Sequence, residues 1–386
     1  MDEKAPKKQN ILSRILALLL TCCLLLGGVA VVVYRDYLNL DALRRLLEYR
    51  HLQTSQTGEA VPFSHAGGKQ MSIAYLESGV LTASSTGVRY YSISGDLYTE
   101  EVLNMEHPVL QSAGDTGVAY DAGGKNLLVF REREMVFQLE LEGNGDLLSA
   151  RVNGNGWLVV TAQESGYKGS VTVYDSSYTR KMIQINLSST FIVDAAISPD
   201  NKTVAVVTMN QEAGAFQSQV WFYPIDAKEP SAIVNLGNRV VLDLDYEDST
   251  LWVLEESSLT IIGENGATSN TYSLGRDYLK GASLGGDGFA LLLLGRYRSG
   301  SANRAVTIGA DGTELASMTI TSTALAQSAA GRYVALLSGD ALSIYTWEFT
   351  PYSNLTQTGN ARYLSLSEDG SAMLANAQQL WLYLPQ

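Results

Sequence analysis

After Cys23 the chain contains no cysteine, and its only two, Cys22 and Cys23, sit together in an apolar N-terminal run. That excludes a disulfide framework, a CxxC redox pair and a thiolate zinc site from the rest of the sequence. Histidine is scarce too. His51, His65 and His107 stand far apart, without the spacing a histidine-based zinc site needs. Positive charge is short: 27 Lys and Arg against 40 Asp and Glu give a net charge of −13, the wrong sign for a nucleic-acid-binding surface. No GxSxG elbow, Walker loop or dinucleotide fingerprint occurs. The glycine-rich stretch at residues 281–288 is followed by no helical pattern that would turn it into a phosphate cradle. Asp200, Asp248, Asp287 and Asp369 recur at turns, but none sits in the dense ligand run of a calcium loop. The sequence therefore predicts no metal, no cofactor and no catalytic constellation.

What is present begins with an anchor. Residues 1–14 are polar and basic, and Ile15 to Tyr34 is uncharged over 20 residues. At about 1.5 Å per residue such a run matches the roughly 30 Å hydrocarbon core of a bilayer. Gly28 and Ala30 offer a signal-peptide cut after Ala30, but Val31-Val32-Val33-Tyr34 carries the apolar run past that point and favours an uncleaved transmembrane helix. Thr21 stands where a lipoprotein signal has a small residue. The basic residues before and after the run are nearly balanced. A short cytoplasmic tail with the long acidic part outside the cytoplasm is the expected orientation, making this a single-pass protein of the cell membrane. Residues 35–53 read as a short juxtamembrane helix, with Leu40, Leu43, Leu46 and Leu47 on one side and Asn39 or Asp41 as cap. Residues 54–60 read as a linker.

From residue 61 onward no long helical period appears. The clearest unit is residues 192–225. A short strand runs to Ile197, Ser198-Pro199-Asp200-Asn201 turns it, Thr203 to Met209 alternates, a polar loop follows, and Val220-Trp221-Phe222-Tyr223 makes a third strand. Equivalent first strands start near Met71, Pro108, Leu147, Ile192, Val240, Tyr278, Ala324 and Ala361, between 37 and 48 residues apart. Turns such as Glu247-Asp248-Ser249 and Glu368-Asp369-Gly370 recur, as do third strands such as Val171-Thr172-Val173-Tyr174 and Leu380-Trp381-Leu382-Tyr383. A period near 40 with four short strands predicts an all-β propeller of eight blades, or seven if the weak first unit is something else, spanning residues 61–386. The last unit has only three strands, and Ala60 to Ser64 can supply the fourth, closing the ring.

The Ser-Pro-Asp-Asn turn followed by TVAVVT, and the Val-Trp-Phe-Tyr strand, resemble the WD40-like and TolB-like propellers of bacterial envelopes. The eight-unit plan is also similar to quinoprotein propellers, but their tryptophan docking motif is absent, as are the Gly-His and Trp-Asp dipeptides of true WD40 repeats. With the N-terminal run, the whole chain resembles a bacterial single-pass, membrane-anchored propeller family of unknown function.

Polar residues on the first strands are the candidate site. Arg151, Asp194, Asp243, Asp245, Lys280 and Arg362, with Ser149 and Gln327, are expected to line the axial channel. There they either satisfy one another around water or hold a small ligand. Asp243 and Asp245, two residues apart on one strand face, are the pair an envelope hydrolase or lyase would use for acid–base work. The leading expectation is a non-enzymatic, membrane-tethered scaffold that binds a protein of the cell envelope. Loops such as Gly166-Tyr167 and Arg296-Tyr297-Arg298 are able to contact a protein or glycan.

Overall fold

The computed structural model describes residues 17–23, 25, 27, 29, 40–67, 70–143, 145–212, 214–263, 266–267, 269–339 and 341–385, which fall into two units, Met1–His51 and Leu52–Gln386. Within the second unit the local rule set by the turns holds. In Ser198-Pro199-Asp200-Asn201, the Asn201 N–H donates to the Ser198 carbonyl at 3.0 Å, and Asn201 adopts a left-handed φ of 61°. Ser198 Oγ donates to Asp200 Oδ1 at 2.6 Å, which in turn accepts the Lys202 N–H at 3.1 Å. Short polar side chains thus satisfy the backbone where the chain reverses. Asp248 takes a left-handed φ of 50° at the corresponding turn of the next repeat.

Each repeat folds into one four-stranded antiparallel sheet, and there are eight sheets. Their first strands are Ser72–Leu76, Pro108–Ala113, Leu147–Val152, Phe191–Ile197, Val241–Glu247, Tyr278–Gly286, Ala324–Ala330 and Tyr363–Leu366, in blades 1 to 8. These lie side by side around an axis, and the first strand of blade 8 meets that of blade 1. The expected starts at Pro108, Leu147, Tyr278 and Ala324 coincide with the observed ones, and the others differ by one or two residues. The structure is an all-β propeller, and its blade number is eight rather than seven. We call upper the face where first strands begin, and lower the face where they end.

The alternating residues of neighbouring blades meet in dry layers. Between blades 3 and 4, for example, Val171, Val173 and Ile185 pack on Ala195, Ile197 and Val206, all buried. Corresponding clusters occupy the junctions from blades 1 and 2 through blades 7 and 8. The ring closes as the three-stranded last unit requires. Phe63–Ser64 pairs antiparallel with Gln379–Tyr383 and becomes the fourth strand of blade 8. The Ala60 N–H donates to the Leu382 carbonyl and the Leu384 N–H to Gly58, both at 2.8 Å. Phe63 packs on Tyr91 of blade 1 with ring centroids 5.5 Å apart. It also lies over Gly95, where a Cβ would come within 2.5 Å of the ring.

One expectation needs correction. The polar loop placed between Met209 and Val220 is strand: Thr203–Glu212 pairs with Ala215–Pro224 from Thr203↔Pro224 through to Glu212↔Ala215. Residues such as Gln211, Gln217 and Gln219 read as loop because they are polar, but the outer end of this hairpin is solvated and needs no apolar face. It carries the exposed Phe216 beyond the upper rim.

In the first unit, Leu40–Glu48 is an α-helix with an Arg44–Glu48 ion pair at 3.7 Å. Asp41 lies in its first turn, and Leu40, Leu43, Leu46 and Leu47 carry exposed side chains. The transmembrane segment expected at 15–34 lies largely outside the described residues, as do the tail at 1–14 and the cap at Asn39. No helix among the described residues is long and apolar enough to cross a membrane.

Candidate functional site: the axial channel

The innermost strands carry a device that the sequence pattern does not announce. In blades 3 to 7 the pairing of first and second strand slips by one residue at the same place, between Leu147 and Ser149, Ile192 and Asp194, Val241 and Asp243, Leu279 and Gly281, and Ala324 and Ala326. A bulge re-aims the side chain that follows it. Asp194 and Asp243 turn back identically, each accepting the next residue's N–H on Oδ1, at 2.8 Å from Ala195 and 2.9 Å from Leu244. In blade 6 the equivalent residue is Gly281, and the Gln327 amide of blade 7 crosses where a Cβ would stand.

Three blades are tied together at this level. Arg151 Nη2 donates to Asp194 Oδ2 at 2.6 Å and to Asp243 Oδ1 at 2.8 Å, while Arg151 Nε reaches Asp194 Oδ2 at 3.1 Å. Ser149 Oγ donates to Asp194 Oδ1 at 2.5 Å. Burial works against the charge on Arg151, but Asp194 and then Asp243 more than offset it and hold the guanidinium protonated. Tyr120, buried beside the cluster, has its phenol pushed up to about 12, first by burial and then by the charge of Asp194.

Towards the lower face, the same strand of blade 5 continues with Asp245 and Glu247, so that Asp243, Asp245 and Glu247 alternate along one side. Asp245 is exposed to the channel but lies deep within the ring. That desolvation, together with the charge of Asp243 and against the pull of Arg151, raises its pKa to about 6. Burial raises Glu247 to about 7, opposed by the Gly288 N–H at 3.3 Å and reinforced by Asp287, Asp248 and Asp245. The lower mouth encloses a cavity of about 610 Å³, lined by Arg151, Asn153, Asp243, Asp245, Tyr246, Glu247 and Glu368 among others. A shelf of about 470 Å³ between the turns of blades 4 and 5 shares Pro199 and Tyr246 with it.

Of the six residues expected at the channel, Arg151, Asp194 and Asp243 come together and Asp245 lies one pleat below them. Lys280 does not join them; its ammonium donates to the Arg298 carbonyl at 2.7 Å on the upper face. Arg362 is exposed at the upper start of blade 8, with its N–H on the Ala375 carbonyl at 2.8 Å. Gln327 donates to the Ala282 carbonyl at 3.3 Å and links blades 6 and 7. The proposed Asp243–Asp245 pair is divided in kind, since Asp243 is held by Arg151 and Asp245 is not. In sequence Glu247 belongs to the turn Glu247-Asp248-Ser249, and its alternation with Asp243 and Asp245 is the signal that puts it with them. Among the described residues no group of three or more His, Cys, Asp or Glu is arranged to hold a metal ion. The chemistry open to the lower mouth is proton exchange near neutral pH and the binding of a small cation or hydrogen-bond donor.

A family model described as "Family of unknown function (DUF5711)" matches residues 48–375. No curated protein matches the chain. Among solved structures, BamB from Moraxella catarrhalis is 15% identical, covering 83% of this chain and 98% of its own, with a TM-score of 0.50. Saccharomyces cerevisiae Sqt1 is 9% identical over 86% of this chain and 100% of its own, with a TM-score of 0.62. The computationally designed Ika8 protein is 12% identical over 83% and 97%, with a TM-score of 0.59. At such identities the likeness speaks for the fold alone.

Proposed function

We propose that this chain, which belongs to the DUF5711 family of unknown function, is a non-enzymatic protein-binding module of the cell envelope. In this reading residues 15–34 tether it to the membrane, and the propeller stands outside the cytoplasm as a docking platform. The uncharged run of 20 residues supports the tether.

The observation that carries the binding role is the upper mouth of the channel. Phe191, Val240, Leu242, Tyr278 and Leu325 stand at the starts of the first strands in blades 4 to 7, and all are exposed. Leu242, 54% exposed, sits on a strand whose neighbours Val241 and Leu244 are buried. Singly exposed apolar residues are ordinary, but a consecutive arc of them around one opening marks a contact surface. Arg151, Asp194 and Asp243 are meanwhile committed to one another, which suits a blade-to-blade clamp better than a catalytic base.

Photo-crosslinking from a benzoylphenylalanine placed at Leu242 in native membranes tests this reading. Discrete adducts are expected there and not from the same probe at Ser177 on the lower face. Absence of adducts at Leu242, or equal adducts at both positions, overturns it. A second reading, a small-ligand site at the lower mouth, is favoured by the cavity of about 610 Å³ and the raised carboxyls of Asp245 and Glu247. A metabolite thermal-shift screen in which Asp245→Asn abolishes every hit would support it, and a screen without hits removes it.

A further inference from the structure

The charge on the two faces of the propeller is unevenly placed. The lower face carries turns rich in acid, such as Glu247-Asp248 and Glu368-Asp369. The upper end of blade 6 is the reverse. Tyr278 pairs with Gly295, so the segment starting at Arg276 and the loop Arg296-Tyr297-Arg298 are brought together at one end of one sheet. Tyr297 is 74% exposed, and Arg276, Arg296 and Arg298 are exposed as well. Among the described residues none of these three arginines forms an ion pair. The nearest acid in sequence, Asp277, is engaged by Arg304 at 3.6 Å. Lys280 adds a fourth cation, its ammonium holding the loop through the Arg298 carbonyl.

Exposed arginines and tyrosines gathered at one end of one sheet, in a protein of net charge −13, form a site for carboxylates joined to an apolar or aromatic side chain. We propose that this rim docks an acidic peptide segment of the partner. Its carboxylates engage Arg276, Arg296 and Arg298, and a side chain between them packs on Tyr278 beside Leu242. The inference rests on the reading of the upper mouth as a protein-binding surface and names the chemistry of what is bound.

An anionic bilayer would present similar charge, but the arginines adjoin the arc of exposed apolar and aromatic residues that curves around the channel mouth from Phe191 to Leu325, which suits an extended segment laid along it better than a flat surface.

The test uses the full chain in detergent and fluorescein-labelled twelve-residue peptides of repeating Glu-Glu-Tyr, Lys-Lys-Tyr and Ser-Ser-Tyr, read by fluorescence anisotropy. Phosphatidylglycerol vesicles are the lipid arm. The acidic peptide is expected to bind at the rim, with affinity falling as salt rises from 50 to 300 mM, whereas any binding of the Lys-Lys-Tyr peptide, drawn to the acidic lower face, should not respond to the rim substitutions. Arg296→Glu with Arg298→Glu should weaken acidic-peptide binding at least tenfold, and Arg276→Glu alone should weaken it to a smaller degree. Arg180→Glu on the lower face should leave it unchanged. These are exposed loop positions, and an unchanged melting curve confirms that each variant is folded. Acidic peptide that fails to bind, or that binds the charge-reversed variant equally, overturns the proposal. So does binding of vesicles through these arginines in preference to peptide. Crosslinks from Leu242 alongside a silent acidic peptide would sink this proposal and leave the protein-binding reading standing.

Discussion

Replacing Asp194 by Ala should be among the more damaging single changes in the propeller. The side chains of Arg151 and Asp194 are only 16% and 13% exposed, and Asp194 takes donors from Arg151, Ser149 and the Ala195 N–H. Breaking a buried ion pair from one side costs about 3–5 kcal/mol, because the partner charge is left in place. Here Asp243 still reaches Arg151 at 2.8 Å, but its side chain is 43% exposed and compensates only in part. The expected loss is therefore about 2–3 kcal/mol. Arg151→Met should cost a similar amount, since it leaves two carboxylates facing each other. The double variant removes both problems, and its cost should fall about 2 kcal/mol short of the sum. Urea unfolding followed by tryptophan fluorescence reads this as a midpoint shift, about 1 M if the denaturant slope is about 3 kcal/mol per M. A loss below about 1 kcal/mol for Asp194→Ala, or additivity within about 0.5 kcal/mol, would refute the claim that the three blades are clamped through this network.

Two further outcomes follow from the geometry. Asp245 and Glu247 have folded-state pKa values raised to about 6 and about 7, so the folded chain holds their protons more tightly than the unfolded one. Their contribution to stability is largest below about pH 4 and is lost as pH rises through 6 to 7; Asp245→Asn with Glu247→Gln should flatten that part of the stability–pH curve and raise the melting temperature at pH 7.5. At the ring closure, Phe63→Ala should cost about 2 kcal/mol, less than the loss for a fully buried phenylalanine because Phe63 is half-buried. Hydrogen exchange should accelerate first at the amides of Gln379–Tyr383, and uniform acceleration across all blades would contradict a local closure.

The architecture was legible because it rests on local chemistry that repeats. Turn residues with left-handed or self-bonding propensity, as at Asn201 and Asp248, separate period-2 apolar runs, and each run sits between two blades that both want it dry. The closing strand was legible from arithmetic, as a unit lacking its fourth strand requires one from elsewhere. The bulges were not. Nothing in Ile192-Val193-Asp194 differs from an ordinary strand, and only the slip against Thr203–Glu212 shows that Asp194 is re-aimed. The fate of Lys280 was hidden for a related reason, since its partner is a backbone carbonyl 18 residues away in a loop. The basic rim was half visible: Arg296-Tyr297-Arg298 stands out in the sequence, but Arg276 joins it only through the pairing of Tyr278 with Gly295. The projecting hairpin of blade 4 is not legible as strand because solvated strand ends carry no hydrophobic period.

The two-residue closing strand also decides how the molecule carries mechanical load. Thr54 bridges Ala60 antiparallel and the chain reverses at Ser55–Glu59, so tension on the chain must open this turn before it loads Gly58 to His65. The bonds from Ala60 to Leu382, from Leu384 to Gly58 and from His65 to Gln378 lie across the strand axis, so a force directed along that axis loads them together in shear. Phe63, seated over Gly95 and against Tyr91, acts as a stop that must be dragged out of its seat before any blade can unwind. A short strand in this position behaves as a latch, strong along the pull and weak to peeling from its edge.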